Sequence, residues 1–340
     1  MREQLTPTMA TEATGPPSAE GAMTMTTAQS ERVDLRRARA VATRAAEAAG
    51  ALLRRQARQA FSIRSKDEQG DLVTDLDLAS EAMIISHLRA AFPEHRIITE
   101  EAGELVGKAS WTWLVDPLDG TNNLAIGLTA YGIGLALCQG GLPRVAVVHD
   151  VPSATTWSAM RGHGAYGPDG RLPRRSPTKS GSMTIAWIQG HQVPRDDLEA
   201  AAIVCRLERA SKRVLQLWAP LLCWVMLARA DIDGIVLYQA GSVDLQAGTL
   251  IAQEAGLHLH EFDGEPFDDR FSSVDEHRSL VAGSPEIVER LLALVQAAGP
   301  AGGSSGMVSG SRRPSQVSRG RATAATPAET TISGGRGWLL

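Results

Sequence analysis

The sequence has few cysteines, little net charge and no long apolar run. Its three cysteines, Cys138, Cys205 and Cys223, lie among apolar residues without CxxC spacing, which argues against disulfides and a zinc site and favours buried free thiols. There is no run of about eighteen apolar residues and no leader-like start, so we expect no membrane span and a cytoplasmic protein. A formal charge of −4 is too small to indicate that the folded domain binds nucleic acid.

Both ends of the chain are rich in small and polar residues and have no apolar period. Such segments cannot bury enough surface to offset the entropy lost on ordering, so we predict disordered tails over residues 1–31 and 299–340. The second tail is basic, which allows either a weak contact with a polyanion or, as its composition favours, a solvated tail. Its acid is Glu329 and its arginines are Arg312, Arg313, Arg319, Arg321 and Arg336.

The middle of the chain, residues 32–298, mixes helical and strand patterns. Apolar residues recur at helical spacing over 32–57 and over Leu76–Ala91. Further patterns predict strands at 96–99, 111–116, 131–138, 144–150, 155–160 and 232–238, and helices at 197–209, 219–230, 245–255 and 285–298. This mixture predicts a layered α+β or α/β domain, which we divide into an N-terminal α+β lobe (32–150) and a C-terminal α/β lobe (151–298).

The segment WTWLVDPLDGTNNL at 111–124 indicates a cation site. An apolar strand ends there in two carboxylates, Asp116 and Asp119. Because Pro117 stiffens the turn between them, both can face one point, and the Leu118 carbonyl can turn toward it as a further hard oxygen ligand. The alternative is an Asp-rich turn that only caps a helix.

Neighbouring and distant residues extend this candidate site. Gly120 lets the backbone approach a ligand, and Thr121 can start a helix whose free N–H groups favour an anion such as phosphate. Three further acids lie at the ends of predicted elements: Asp77 just before the second helix, Glu100 just after a short strand, and Asp244 where another helix should begin. A rigid scaffold commonly presents its ligands in this way.

The motifs VTDLD, TEE, DPLDGT and VDLQAG, in this order, resemble the inositol monophosphatase family of Mg²⁺-dependent, lithium-sensitive phosphatases. The resemblance covers about residues 34–297. It implies a layered α/β/α/β sandwich, a small phosphorylated metabolite as the substrate and a homodimer as the assembly. The substrates it leaves open are inositol phosphate, histidinol phosphate, fructose bisphosphate or another sugar phosphate, and nucleotide 3′-phosphates.

The resemblance also implies a role for each matched residue, with two or three Mg²⁺ ions in the site. The first Mg²⁺ would be held by Glu100, Asp116 and the Leu118 carbonyl, and the second by Asp116, Asp119 and Asp244. A third, looser ion would share Glu100 with water. Asp77, Thr74 and Thr121 would activate the attacking water. The phosphate would meet the backbone N–H groups of Gly120 and Thr121, with Lys66 nearby.

The residue chemistry agrees with hydrolysis by a metal-activated water. Clustered carboxylates repel one another unless cations offset their charge, and two hard cations can lower the pKa of a water and stabilise a leaving oxygen. No protein nucleophile is then required, and the chain has no GxSxG elbow. His258 and His260 alternate in LHLHE, a pattern that favours a structural or surface role over metal binding.

The sequence departs from the family at positions where family members contact the carbon skeleton of the substrate. Val243 replaces a usual Trp, LWAPLL at 217–222 replaces a stretch of small residues, and Leu237 replaces an acid that binds sugar hydroxyls. A buried hydroxyl left without a partner costs about 1 to 3 kcal/mol, which argues against free inositol phosphate. A bulkier wall of Trp218, Pro220 and Trp224 suits an aromatic or nucleotide leaving group, although packing in a helix core explains these residues equally well.

A second hypothesis follows from the same departures. The chain would be a metal-binding relative that has lost turnover and acts as a binding or regulatory protein through its basic tail. Retention of every matched metal and water position argues against it.

Overall fold

The computed structural model describes residues 33–59, 61–66, 72–173, 182–297 and 330–332, without the side chains of 242–244 and 330–332. The two predicted tails therefore lie outside the described residues, apart from the strand at 330–332. The elements below belong to a compact unit that begins at Leu35.

Seven helices form in the part of the chain that the structure describes. They are α1 (Leu35–Gln56), α2 (Asp75–Ala91), α3 (Thr121–Ala125), α4 (Leu198–Ala210), α5 (Pro220–Arg229), α6 (Ser242–Glu254) and α7 (Pro285–Val295). None of these described helices has the length and apolarity needed to cross a membrane.

The strands form one large and two smaller sheets. They are β1 (Phe61–Ser65), β2 (Leu72–Thr74), β3 (Arg96–Thr99), β4 (Gly103–Leu105), β5 (Trp111–Asp119), β6 (Gly132–Gln139), β7 (Leu142–Asp150), β8 (Thr155–Met160), β9 (Gly164–Gly167), β10 (Gly170–Arg171), β11 (Thr184–Gln189), β12 (Arg213–Leu215), β13 (Gly234–Gly241), β14 (His258–Glu261), β15 (His277–Gly283) and β16 (Thr330–Ile332). The large sheet has the order β10-β9-β8-β7-β6-β5-β3-β4, the second β12-β11-β13-β15-β14, and the third β16-β1-β2.

Helices and sheets alternate in layers. The alanine-rich face of α1 buries Ala38, Ala42, Ala45 and Ala49, small side chains that let it pack closely with α2 and the large sheet. Helices α5 and α6 lie between the large sheet and the second sheet, where one apolar core is continuous across both. Helices α4 and α7 cover the outer face of the second sheet with a core of their own. The predicted layered α+β fold is confirmed, with α4 and α7 as one further helical layer.

Several sequence predictions need correction or remain predictions. The strand predicted to end at Asp116 continues to Asp119, and the strands β11 and β15 were not predicted. Cys205 is exposed, whereas Cys138 and Cys223 are buried and all three thiols are free. The lobe boundary at residue 150 stays a prediction, and the large sheet itself continues to Arg171.

Candidate active site

A β-bulge brings the two carboxylates of DPLD to the same side of strand β5. Asp116 pairs with Gly134 and Asp119 with Gly132, so the β5 side has one residue more than the β6 side. In a regular strand, residues three apart point to opposite faces, and the extra residue cancels that alternation. Pro117 suits the irregular position because it has no N–H to leave unpaired.

Backbone N–H groups hold both carboxylates. Asp116 Oδ1 accepts from the Leu118 N–H at 3.0 Å, and Asp119 Oδ2 accepts from the Leu221 N–H at 2.8 Å. Leu221 lies in the first turn of α5, where N–H groups have no partner within the helix. Both aspartates are buried, and these bonds fix the orientation of their carboxylates.

Gly120 is required by the turn that follows. Its φ is +88°, a left-handed value, and a Cβ there would lie 2.8 Å from the Ala130 carbonyl oxygen and 3.2 Å from that of Trp218. Helix α3 then begins at Thr121, as the sequence predicts.

Asp77 lies in the first turn of α2 rather than before the helix. Thr74 is the N-cap, and its N–H and hydroxyl donate to Asp77 Oδ2 at 2.8 and 2.5 Å, a reciprocal capping box. Asp77 Oδ1 accepts from the Thr121 hydroxyl at 2.8 Å, so the buried carboxylate connects α2 to DPLDGT. Burial raises the pKa of Asp77 to about 6, although its hydrogen bonds with Thr74 and Thr121 oppose that rise.

Glu100 follows β3 and pairs with Lys66. The Lys66 Nζ lies 2.6 Å from Glu100 Oε1 and 2.5 Å from Glu101 Oε1. Burial lowers the pKa of Lys66, but the two carboxylates outweigh burial and the net pKa is raised. Burial also raises the pKa of Glu101 to about 7 against the opposing effect of Lys66. Sequence reasoning did not single out Glu101, which neighbours Glu100 in TEE.

Six of the predicted site residues line one cavity of about 590 Å³. They are Glu100, Asp116, Leu118, Asp119, Gly120 and Thr121. Asp77 and Lys66 contact members of this group from outside the cavity lining, and Thr74 contacts Asp77. The DPLDGT segment and Glu100 of TEE therefore line the same cavity.

The described residues leave the metal centre incomplete. They contain no group of three or more His, Cys, Asp or Glu side chains that could hold a metal ion. Asp244 lies in the first turn of α6, next to the cavity-lining Gly241, but its side chain is not among those described. These residues still suit a hard cation. Glu100, Asp116, Leu118 and Asp119 line one cavity, and carboxylate and backbone carbonyl oxygens are the ligands that such a cation prefers.

A second wall of the cavity was only partly predicted from the sequence. It comprises the end of β11 with the residues that follow, and the residues before α5 with the first residue of that helix. The first group is Gln189, Gly190, His191, Val193 and Arg195, and the second is Gln216, Leu217, Trp218, Ala219 and Pro220. Of the predicted bulky wall, Trp218 and Pro220 line the cavity, whereas Trp224 is fully buried beside Gly248. Leu237 is also buried in the core and does not line the cavity, and its correspondence to a hydroxyl-binding acid of the family stays a prediction.

The layered fold is also found among solved structures. A crystal structure of an IMPase/NADP phosphatase complexed with Mg²⁺ and phosphate superposes with a TM-score of 0.62 at 24% identity, covering 74% of this chain and 91% of that one. At this identity the likeness establishes the layered fold.

Sequence comparison identifies the family. The inositol monophosphatase family model matches residues 34–299. A Nus factor SuhB from Pasteurella multocida is 32% identical over 260 residues, which cover 75% of this chain and 94% of the relative. Inositol monophosphatase 1 from Solanum lycopersicum is 32% identical over 239 residues, which cover 67% of this chain and 85% of the relative. The chain belongs to the inositol monophosphatase family.

Proposed function

We propose that this chain is a Mg²⁺-dependent phosphatase that hydrolyses a phosphate monoester of a small metabolite by attack of water. The supporting observation is the joint lining of one cavity by Glu100, Asp116 and Asp119 beside the Gly120–Thr121 turn. Membership of the family agrees with this function, as does the complex of the related IMPase/NADP phosphatase with Mg²⁺ and phosphate.

The metal roles follow the family pattern. Glu100, Asp116 and the Leu118 carbonyl would hold one Mg²⁺, and Asp116, Asp119 and Asp244 a second, while a third ion would share Glu100. When bound, Mg²⁺ would lower the pKa of a water and offset charge on the phosphate. Lys66 has a supporting role, because its one positive charge lies between the carboxylates of Glu100 and Glu101 and limits their mutual repulsion.

The contacts of Thr121 and Asp77 support a role in taking a proton from water. The Thr121 hydroxyl borders the cavity and can donate its one proton to Asp77 Oδ1 while its lone pair accepts from a water. The Thr74 N–H and hydroxyl hold Asp77 in place and favour its carboxylate form. Asp77 is thus a positioning and proton-accepting group behind Thr121. The N–H groups of Gly120 and Thr121 would bind a phosphate oxygen.

A phosphate-release assay on the purified full chain tests the proposal. We expect turnover of at least one ester in a panel of inositol, histidinol, sugar, glycerol and nucleotide phosphates in the presence of Mg²⁺. Chelation with EDTA should abolish it, and excess Mg²⁺ should restore it, because the cavity carboxylates require the ion's charge. Absence of release from every ester, with or without Mg²⁺, would contradict the phosphatase function.

Replacing Thr121 tests the proton relay. Thr121→Val keeps the shape but removes the hydroxyl and leaves Asp77 Oδ1 without that donor, so we expect kcat to fall by about 10²-fold, the scale of general acid–base catalysis. Thr121→Ser retains the hydroxyl and should keep kcat within about threefold of wild type. Equal kcat for the Val and Ser variants would exclude the relay.

A second candidate function is that of a binding or regulatory protein. Relatives such as those of Pasteurella multocida and Vibrio cholerae carry the name Nus factor SuhB. Under this alternative the cavity would still bind Mg²⁺ and phosphate but would release no product. Calorimetric binding of inorganic phosphate in the presence of Mg²⁺, without turnover of any ester, would favour it.

A further inference from the structure

The cavity has a second wall that the proposed hydrolysis does not use. The acids and the Gly120–Thr121 turn line one part of the cavity, and the segments at 189–195 and 216–220 line another part. A volume of about 590 Å³ lies in the range of sites that hold whole small molecules, and is much more than a phosphate group needs. The second wall is therefore placed to contact the part of the ester that leaves with the oxygen.

Trp218 is the unusual residue of that wall. It is 63% exposed, and it is the one aromatic among the exposed large hydrophobic residues of the described chain. Its φ is +25°, in the left-handed region that residues with a Cβ rarely adopt. Such a conformation persists only where its surroundings hold it, and it is common at ligand sites.

Asn123 holds the Trp218 backbone. Its side-chain Nδ2 lies 2.7 Å from the Ala130 carbonyl oxygen, 3.2 Å from that of Leu217 and 3.2 Å from that of Trp218. Asn123 is only 2% exposed, and it comes two residues after Thr121. The Asn123 amide therefore connects the second wall by hydrogen bonds to the segment that follows Asp116 and Asp119.

The chemistry of the wall fits a flat ring better than a polyol. The indole of the exposed Trp218 can stack on a planar π system, whereas its faces offer no hydrogen bond to the several hydroxyls of a polyol. Gln189 and Gln216 also line the cavity, and their amides both donate and accept, as the polar edge of a nucleobase requires.

We propose that Trp218, held by Asn123, is a specificity-determining residue that stacks on a planar ring of the leaving group, so that the enzyme prefers nucleoside monophosphates to polyol phosphates. This inference rests on the proposed phosphatase function. It assigns the choice between esters to residues before α5, which are different residues from those proposed to hold metal and water.

A comparison of two esters tests the preference. The kcat/KM of adenosine 3′-phosphate is divided by that of glycerol 2-phosphate for wild type, Trp218→Leu and Trp218→Phe. Stacking of a base on an aromatic residue predicts that the ratio falls about tenfold in the Leu variant and stays within about threefold of wild type in the Phe variant. If Trp218 had only a structural role, its replacement would lower kcat/KM for both esters alike. An unchanged ratio in Trp218→Leu therefore overturns the proposal.

A binding measurement separates this proposal from the phosphatase function. If wild type hydrolyses neither ester nor any other in the panel, the phosphatase function fails, and calorimetric titration with adenosine 3′-phosphate then decides the role of Trp218. Binding that weakens about tenfold in Trp218→Leu but not in Trp218→Phe supports stacking. Equal affinity of wild type and both variants, or no binding to wild type, overturns it.

Discussion

Asp116→Asn is expected to lower kcat by more than about a thousandfold, because the carboxylate proposed to bridge two Mg²⁺ ions becomes a neutral amide. Several kcal/mol of metal-derived stabilisation corresponds to that factor. The fold should survive the change. Asp116 Oδ1 accepts the Leu118 N–H at 3.0 Å, and the Asn carbonyl oxygen can accept the same bond.

The measurement is phosphate release at increasing Mg²⁺, with the melting temperature of each variant recorded in parallel. Asp169→Asn is the matched control, since Asp169 is exposed and does not line the cavity. We expect the control to retain wild-type turnover, and Asp116→Asn to remain inactive even at high Mg²⁺ with a melting temperature close to wild type. Turnover of Asp116→Asn within about threefold of the control would refute the bridging role.

The acid side of the cavity was predictable because its signals are local. Pro117 between two aspartates, Gly120 at a left-handed turn and Thr74 three residues before Asp77 each have a short-range physical meaning that the fold retains. The bulge itself could not be read from the sequence. It depends on which residues of β6 lie opposite Asp116 and Asp119, and that pairing is set by the whole sheet.

The other wall was less predictable because it is assembled from distant segments. The end of β13 is an example, since its pairing with β15 shifts register between Leu237 and Ala240, where Gln239 has a φ of +48°. A sequence pattern alone cannot reveal such a shift. Likewise, Trp218 and Trp224 look equivalent in sequence, yet one precedes α5 and is exposed while the other faces the core from within α5.

Two buried histidines are expected to contribute stability that is lost in mild acid. Burial, with Arg89 nearby, lowers the pKa of His95 to about 4, and burial, with Arg54 nearby, lowers the pKa of His149 to about 4. His95 Nδ1 accepts from the Trp113 indole N–H at 3.1 Å, which its protonation would break. In the unfolded chain each pKa is about 6.5, so below that pH the unfolded state binds protons that the folded state excludes.

The histidine contribution to stability should therefore be complete above about pH 6.5 and fall as the pH drops toward about 4, with each histidine costing about 2 kcal/mol at about pH 5 and about 3 kcal/mol once the fall is complete. The raised pKa values of Asp77 and Glu101 act in the opposite direction, so the histidine contribution is measured as a difference between each variant and wild type. Urea unfolding at about pH 7.5 and about pH 5 gives the change in unfolding free energy of each protein. His95→Asn and His149→Gln remove the titrating group but keep a hydrogen-bonding amide, so at about pH 5 each should retain about 2 kcal/mol more of its pH 7.5 stability than wild type does. His258→Asn is the matched control, because His258 is exposed on β14 and the variant should change with pH as wild type does. If both buried-site variants show the same change in stability as wild type between the two pH values, the folded protein admits the protons and the assigned burial effect is wrong.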